Sequence, residues 1–231
     1  MRCESLKPVF DLRIDSAITS VNVGDGVFRL ARPQDVEALI DSGTGLDQVG
    51  NNTTMPYWAT LWPVSRALAE LIVARPGGFT GKKTLELGCG LGLAGLAALR
   101  AGAEVTFSDY DPNALDFAAY NAKLNGFSSF AVSRFDWRDP PDQLFDVIIG
   151  ADLAWSPEIV PAFVQTIAHM LRPGGVVWLA DQNRLDASSF EKILSSLKLK
   201  ITHSEALRLD ESWGWNIGGT FYEIRNIVEM A

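Results

Sequence analysis

Thr84-Leu85-Glu86-Leu87-Gly88-Cys89-Gly90-Leu91-Gly92-Leu93-Ala94-Gly95, an alanine- and leucine-rich run, and then Glu104-Val105-Thr106-Phe107-Ser108-Asp109-Tyr110-Asp111 decide the fold. An apolar strand carrying an acid leads into a glycine loop and a helix, and a second strand also ends in an acid. This is the pattern of a nucleotide-binding βαβ unit. Gly88, Gly90 and Gly92 remove side chains where a ligand must approach the backbone. The loop amides then point at whatever lies over the N-terminus of the next helix.

Working downstream, Asp111-Pro112 opens a helix over 112–125, with Asp111 as its cap and Asn125-Gly126 as its end. A third strand is expected near Phe130–Phe135, stopping at Asp136-Trp137. Phe145–Asp152 is almost wholly apolar and ends in an acid, as a central parallel strand buried on both faces does. A helix over 157–171, a turn at Arg172–Gly175, a strand at Val176–Ala180 and an amphipathic helix over 187–197 follow. Two consecutive strands, 199–209 and 219–227, close the chain. The expected fold is therefore α/β: a doubly wound, seven-stranded, mostly parallel sheet with an antiparallel C-terminal edge hairpin.

Working upstream, Pro56-Tyr57-Trp58-Ala59-Thr60-Leu61-Trp62-Pro63 is dense in aromatic residues and leads into a helix marked by Leu68, Leu71 and Ile72. This segment is expected to wall one side of the ligand pocket, or to cover the core. Before it, β-like patches at 9–14 and 18–23, a Gly24-Asp25-Gly26 turn and a short helix at 36–40 precede an unpatterned loop over 41–55. The domain reading is an N-terminal extension, 1–55, ahead of a cofactor-binding domain, 56–231.

The formal net charge of −8 argues against a nucleic-acid partner, which would require a basic face; an ordinary acidic surface is the plain reading, and attraction to a cationic substrate is the alternative. Two cysteines and two histidines provide neither a disulfide framework nor a metal cluster. With no charged lead before an apolar run, and no stretch of about 18 uninterrupted apolar residues, the expectation is a soluble, cytoplasmic protein without a membrane segment.

Two ligands compete for the loop. Gly90-Leu-Gly-Leu-Ala-Gly95 matches the dinucleotide pattern, and Asp109 follows Gly90 by 19 residues, near the spacing of a ribose-binding acid. Against a pyrophosphate stand Glu86, two residues before the first glycine and able to face an ammonium, and the earlier start of the glycine series at Gly88. Asp136-Trp137 and Asp152 add acids at later strand ends, where parallel sheets form their ligand crevice.

Residues 56–228 resemble the seven-stranded S-adenosylmethionine-dependent methyltransferases. More narrowly they resemble the family 16 lysine methyltransferases, which include the electron-transfer-flavoprotein β-subunit enzyme. The resemblance rests on Pro56-Tyr-Trp58 with Trp62-Pro63, Leu85–Gly95, Ser108-Asp-Tyr-Asp-Pro112, Asn121-Ala-Lys-Leu-Asn125, Asp136-Trp137 and Asp152-Leu-Ala-Trp155. It implies that S-adenosylmethionine is the methyl donor and S-adenosylhomocysteine the product. It also implies that Glu86, Gly88 and Gly90 surround the methionine end and that Asp109 takes both ribose hydroxyls. Tyr110 would lie against the adenine, Asp136 would receive its amino group with Trp137 beside the ring, and Trp58, Trp62 and Ala151 would complete the pocket. Asp152 and Trp155 would hold the acceptor, although the family carries Tyr or Phe at the position of Trp155. The implied acceptor is a protein lysine at a basic site. A small amine, or a nicotinamide-dependent or non-catalytic nucleotide-binding role, stands as the alternative.

Overall fold

The computed structural model describes residues 12, 14–41, 55–154, 156–207 and 218–227. In chain order these form β1 (Ser16–Val23), β2 (Gly26–Pro33), α1 (Val36–Asp41), α2 (Pro63–Ala74), β3 (Lys83–Leu87) and α3 (Leu93–Arg100). There follow β4 (Glu104–Asp109), α4 (Pro112–Leu124), β5 (Ala131–Arg134), β6 (Phe145–Ala151) and α5 (Val160–Met170). The chain ends with β7 (Leu171–Asp181), α6 (Ala187–Ser196), β8 (Leu199–Leu207) and β9 (Gly219–Asn226). The expected patch at 9–14 falls almost wholly, and the loop at 41–55 mostly, outside the described residues.

Strand β3 pairs in parallel with β4 on one side and β6 on the other. The full order is β5-β4-β3-β6-β7-β9-β8, with antiparallel pairing confined to β7–β9 and β8–β9. The seven-stranded α/β architecture is thus as the sequence implied. Leu87 aligns with Ser108 and with Gly150, so the carboxyl ends of β3, β4 and β6 finish level along one rim. That rim is where the acids lie.

Several boundaries differ for local reasons. Helix α3 begins only at Leu93, because Gly92 holds a left-handed φ of 82° and prolongs the loop. Helix α5 begins at Val160, three residues after the expected Pro157. Strand β7 takes in the expected turn at Arg172–Gly175: Leu171 pairs with Phe145, the register shifts, and pairing resumes at Val176.

The sheet divides two apolar cores. Helices α2 and α3 cover one face with Leu68, Ile72 and Leu96, all inaccessible to solvent, and α5 and α6 cover the other with Phe163, Ile167 and Phe190. The β1–β2 hairpin forms at the expected glycine turn, and its Val21, Val23, Phe28 and Leu30 are buried in the first of these cores. Among the described residues no helix is long and apolar enough to cross a membrane.

Asn121 on α4 and Asn125, which caps its C-terminus one turn later, read the backbone of β2. Asn121 accepts from Ala31 N at 2.7 Å and donates to Ala31 O at 3.1 Å, while Asn125 accepts from Arg29 N at 2.9 Å and donates to Arg29 O at 2.7 Å. Each side-chain amide therefore supplies both bonds that a neighbouring strand would have made. Asn121 also donates to Leu91 O at 3.0 Å, joining the hairpin to the glycine loop. Replacing the fully buried Asn121 by Ala leaves backbone groups without partners and is expected to cost about 1–3 kcal/mol. Chemical denaturation measures this, and a loss under about 0.5 kcal/mol would show that the clamp is dispensable.

Candidate active site

The loop after β3 turns through three left-handed glycines, and Gly90 (φ 50°) shows why. A Cβ there would lie 3.1 Å from the carbonyl oxygen of Trp58, so the aromatic entry segment packs directly on the loop. Asp109, at the end of β4, closes the turn from the other side: Oδ2 accepts from Gly90 N and Oδ1 from Asp111 N, both at 3.1 Å. Burial pushes Asp109 up to about 6, although the amides of Asp111 and Gly90 pull it down.

Glu86 is the most heavily penalised acid. It is 4% exposed, and its Oε2 is fully buried without a hydrogen-bond partner. Burial raises it to about 8, the Gly95 amide opposes this, and the charge of Asp109 adds to it. Gly95 leaves room for it, since a Cβ there would fall 2.4 Å from Glu86 Oε2. Burial, with Asp109 and Glu86 nearby, also pushes the Cys89 thiol up, so it stays protonated.

Asp152 follows the end of β6 with a left-handed φ of 59°, unusual for a residue with a side chain. Its amide donates to Ala180 O at 2.8 Å, which ties the turn to β7. Its carboxylate, 8% exposed as a residue, accepts from Gln182 Nε2 at 2.7 Å and Gln182 N at 3.3 Å, and pairs with Arg184 Nη2 at 3.3 Å. Burial raises it to about 6, against the downward pull of Arg184 and the Gln182 amide.

These groups line one cavity together with Trp58, Trp62, Gly88, Gly90, Tyr110, Trp137 and Ala151. Trp58 is buried against Phe117, with ring centroids 5.3 Å apart, and its indole N–H is buried without a partner. Trp62 donates from Nε1 to Tyr57 O at 3.0 Å. Tyr110 is 40% exposed at the mouth, and Trp137 is wedged edge-on against Phe163 at 5.7 Å.

Asp136 is the exception. Both its oxygens are engaged by Arg138, whose amide donates at 2.8 Å and whose Nε donates at 2.9 Å, with Nη2 closing the second oxygen. This pairing holds Asp136 below the usual carboxylate range, and Trp137 rather than Asp136 lines the cavity. Trp155 lies outside the described residues.

Gln182 and Arg184, which hold Asp152, were not singled out from the sequence. The signal was there: Asp181-Gln182-Asn183-Arg184 ends a parallel strand, as the recognised acids do.

A seven-stranded sheet with a glycine loop and acids on the carboxyl rim defines a methyltransferase of the Rossmann-like class, and known proteins agree. Residues 50–198 match the family described as lysine methyltransferase, and the chain belongs to that family. It is 30% identical to protein N-lysine methyltransferase METTL21A of Danio rerio over 155 residues, 64% of this chain and 70% of the relative. It is 33% identical to the electron transfer flavoprotein beta subunit lysine methyltransferase of Mus musculus over 105 residues, 45% of this chain and 41% of the relative. Among solved structures, the Thermus thermophilus 16S rRNA N2 G1207 methyltransferase RsmC, in complex with AdoMet and guanosine, shares the fold. Its TM-score is 0.62 at 21% identity, over 95% of this chain and 52% of that one.

The protein is accordingly an S-adenosylmethionine-dependent methyltransferase. The residues present suit that cofactor: the unpartnered Glu86 oxygen calls for a donor or a cation, and the left-handed glycines leave the backbone open. A pyrophosphate would meet buried acids instead.

Glu86 holds its proton more tightly in the fold, at about 8, than its ordinary 4.5. Its contribution to stability is complete below the lower value and is lost as pH rises through the higher one. The cofactor-free protein should therefore weaken toward urea between about pH 5 and about pH 8.5, and Glu86→Gln should weaken less over that interval. Equal losses in the two proteins would contradict the assignment.

Proposed function

We propose that the protein methylates the side-chain amine of a lysine in a protein acceptor. The observation that carries this reading is the pairing of a buried carboxylate, Asp152, with an aromatic ring, Trp62, on one cavity and within reach of a single cation. A carboxylate and an aromatic face hold a primary ammonium by charge and by cation–π attraction.

When bound, S-adenosylmethionine supplies a methyl group already made electrophilic by its sulfonium. Glu86 would hold the amino group of the methionine end, its carboxylate ionised against that positive charge. Asp109, which clasps the Gly90 amide, would take the ribose hydroxyls, and Gly88, Ala151, Trp58 and Trp62 would wall the site. Tyr110 and Trp137 would flank the base.

An acceptor lysine, with a free pKa of about 10.4, must shed its proton to expose a lone pair. Enclosure by the aromatic walls and a neighbouring sulfonium both disfavour the charged amine. Asp152 binds and orients the amine first and receives the proton second. Alignment supplies most of the rate, because the methyl donor needs no further activation.

The acidity of the chain, net −8, draws a basic protein segment and repels nucleic acid. A cytoplasmic setting accords with the free, buried Cys89. The proposed division is an N-terminal extension, 1–55, ahead of a catalytic domain, 56–231, and its described hairpin is held to the domain through Asn121 and Asn125.

The test is a labelled-methyl assay on lysate, separated into protein and small-molecule fractions, with the modified residue identified by peptide mass. Label on lysine in protein supports the proposal, whereas label confined to small molecules, or on arginine, overturns it. With an acceptor in hand, Asp109→Ala should abolish the thermal shift given by S-adenosylmethionine. Asp152→Asn should keep that shift and lose about a hundredfold in transfer. Normal cofactor affinity in the first, or full turnover in the second, would reverse these roles.

A further inference from the structure

The seat between Asp152 and Trp62 already contains a cation. Arg184 Nη2 lies 3.3 Å from Asp152 Oδ2, and the guanidinium carbon lies 5.3 Å from the centroid of the Trp62 ring. Both receiving groups line the cavity, and both belong to the set that would hold an acceptor amine.

The mount of Arg184 is rigid while its head is not enclosed. Asp181 Oδ1 accepts from Arg184 N at 2.6 Å and Leu185 N at 3.1 Å, which fixes the turn after β7. The side chain is 34% exposed, so a long, charged stem can carry the guanidinium outward into water at little cost. The carboxylate it leaves is 3% exposed in its side chain and, among the described residues, keeps the two donors of Gln182. Of the charged groups around Asp152, Arg184 favours its ionised form and Asp181 opposes it. An ionised Asp152 without Arg184 therefore requires another cation.

We propose that Arg184 is a resident stand-in for the acceptor, holding the carboxylate and the ring until an incoming amine displaces it. This rests on the reading of Asp152 and Trp62 as the acceptor seat. It makes Arg184 a residue that determines specificity: only a cation able to compete with a tethered guanidinium enters, and neutral or weakly charged groups do not. It also keeps Asp152 paired, rather than leaving a naked buried charge, whenever no acceptor is present.

The test needs no identified acceptor, because n-butylammonium reproduces the end of a lysine side chain. In the full chain with S-adenosylhomocysteine present, Arg184→Gln should bind n-butylammonium about 3- to 30-fold more tightly than wild type, the range of a partly desolvated cation–π and ion-pair seat. Arg184→Lys refills the seat and should return affinity toward wild type. A thermal shift with S-adenosylhomocysteine in each variant shows that the cofactor half is intact; its absence in the wild type would fail the methyltransferase reading instead. Unchanged or weaker amine binding in Arg184→Gln with that shift preserved overturns the stand-in. Independently of any variant, saturating n-butylammonium should move the Arg184 Nε–H resonance in the NMR spectrum of the wild-type protein. A resonance that stays in place overturns the proposal as well.

Discussion

Three carboxylates that line the cavity are buried along one rim of the sheet with too little positive charge to balance them, and the rest of the site is arranged around that imbalance. Glu86 lies on β3, Asp109 ends β4 and Asp152 follows β6, on three adjoining strands. Each is raised above the ordinary carboxylate range chiefly by loss of water. What opposes the cost is local: the Gly90 and Asp111 amides at Asp109, amides of the first turn of α3 at Glu86, and Gln182 with Arg184 at Asp152. A fold carrying such groups is less stable than it could be, and a cationic ligand recovers the difference.

The imbalance also separates the two halves of the site. On the cofactor side, Glu86 keeps a buried oxygen with no hydrogen-bond partner among the described residues, so the ligand must bring the positive charge. On the acceptor side, Asp152 is already matched by a cation from its own chain. The first half is an open demand and the second a filled one. The aromatic wall links them: Trp58 packs on Gly90, Trp62 lies under Arg184, and Asn121 ties the glycine loop to the β1–β2 hairpin. The hairpin is thus part of the frame that holds the cavity, in addition to burying its own apolar face.

Much of this was legible in the chain because the signals were periodic or conformational. An apolar run followed by glycines and a run of small helix formers admits few arrangements, so β3, α3 and β4 were readable nearly to the residue. Asp109 was readable because a strand-end acid at that distance from a glycine loop has a narrow set of uses. Asp136 has a local competitor that spacing alone does not reveal: the arginine two residues on, in an exposed turn, engages both of its oxygens. The Asn121–Asn125 pair carried no period, and its role emerged only when α4 met β2 from ninety residues away. Arg184 was hidden because pairing across a sheet rim cannot be read from spacing; Asp152 and Arg184 come together through the β6–β7 register.

The central claim is that a protonated, buried Glu86 ionises when the cofactor's ammonium arrives. Calorimetric titration of S-adenosylmethionine at about pH 7, in two buffers of different ionisation enthalpy, counts the protons exchanged on binding. The account predicts net proton release from the wild-type protein and a clearly smaller release from Glu86→Gln. Binding with no proton exchange, or with the same exchange in both proteins, would contradict it.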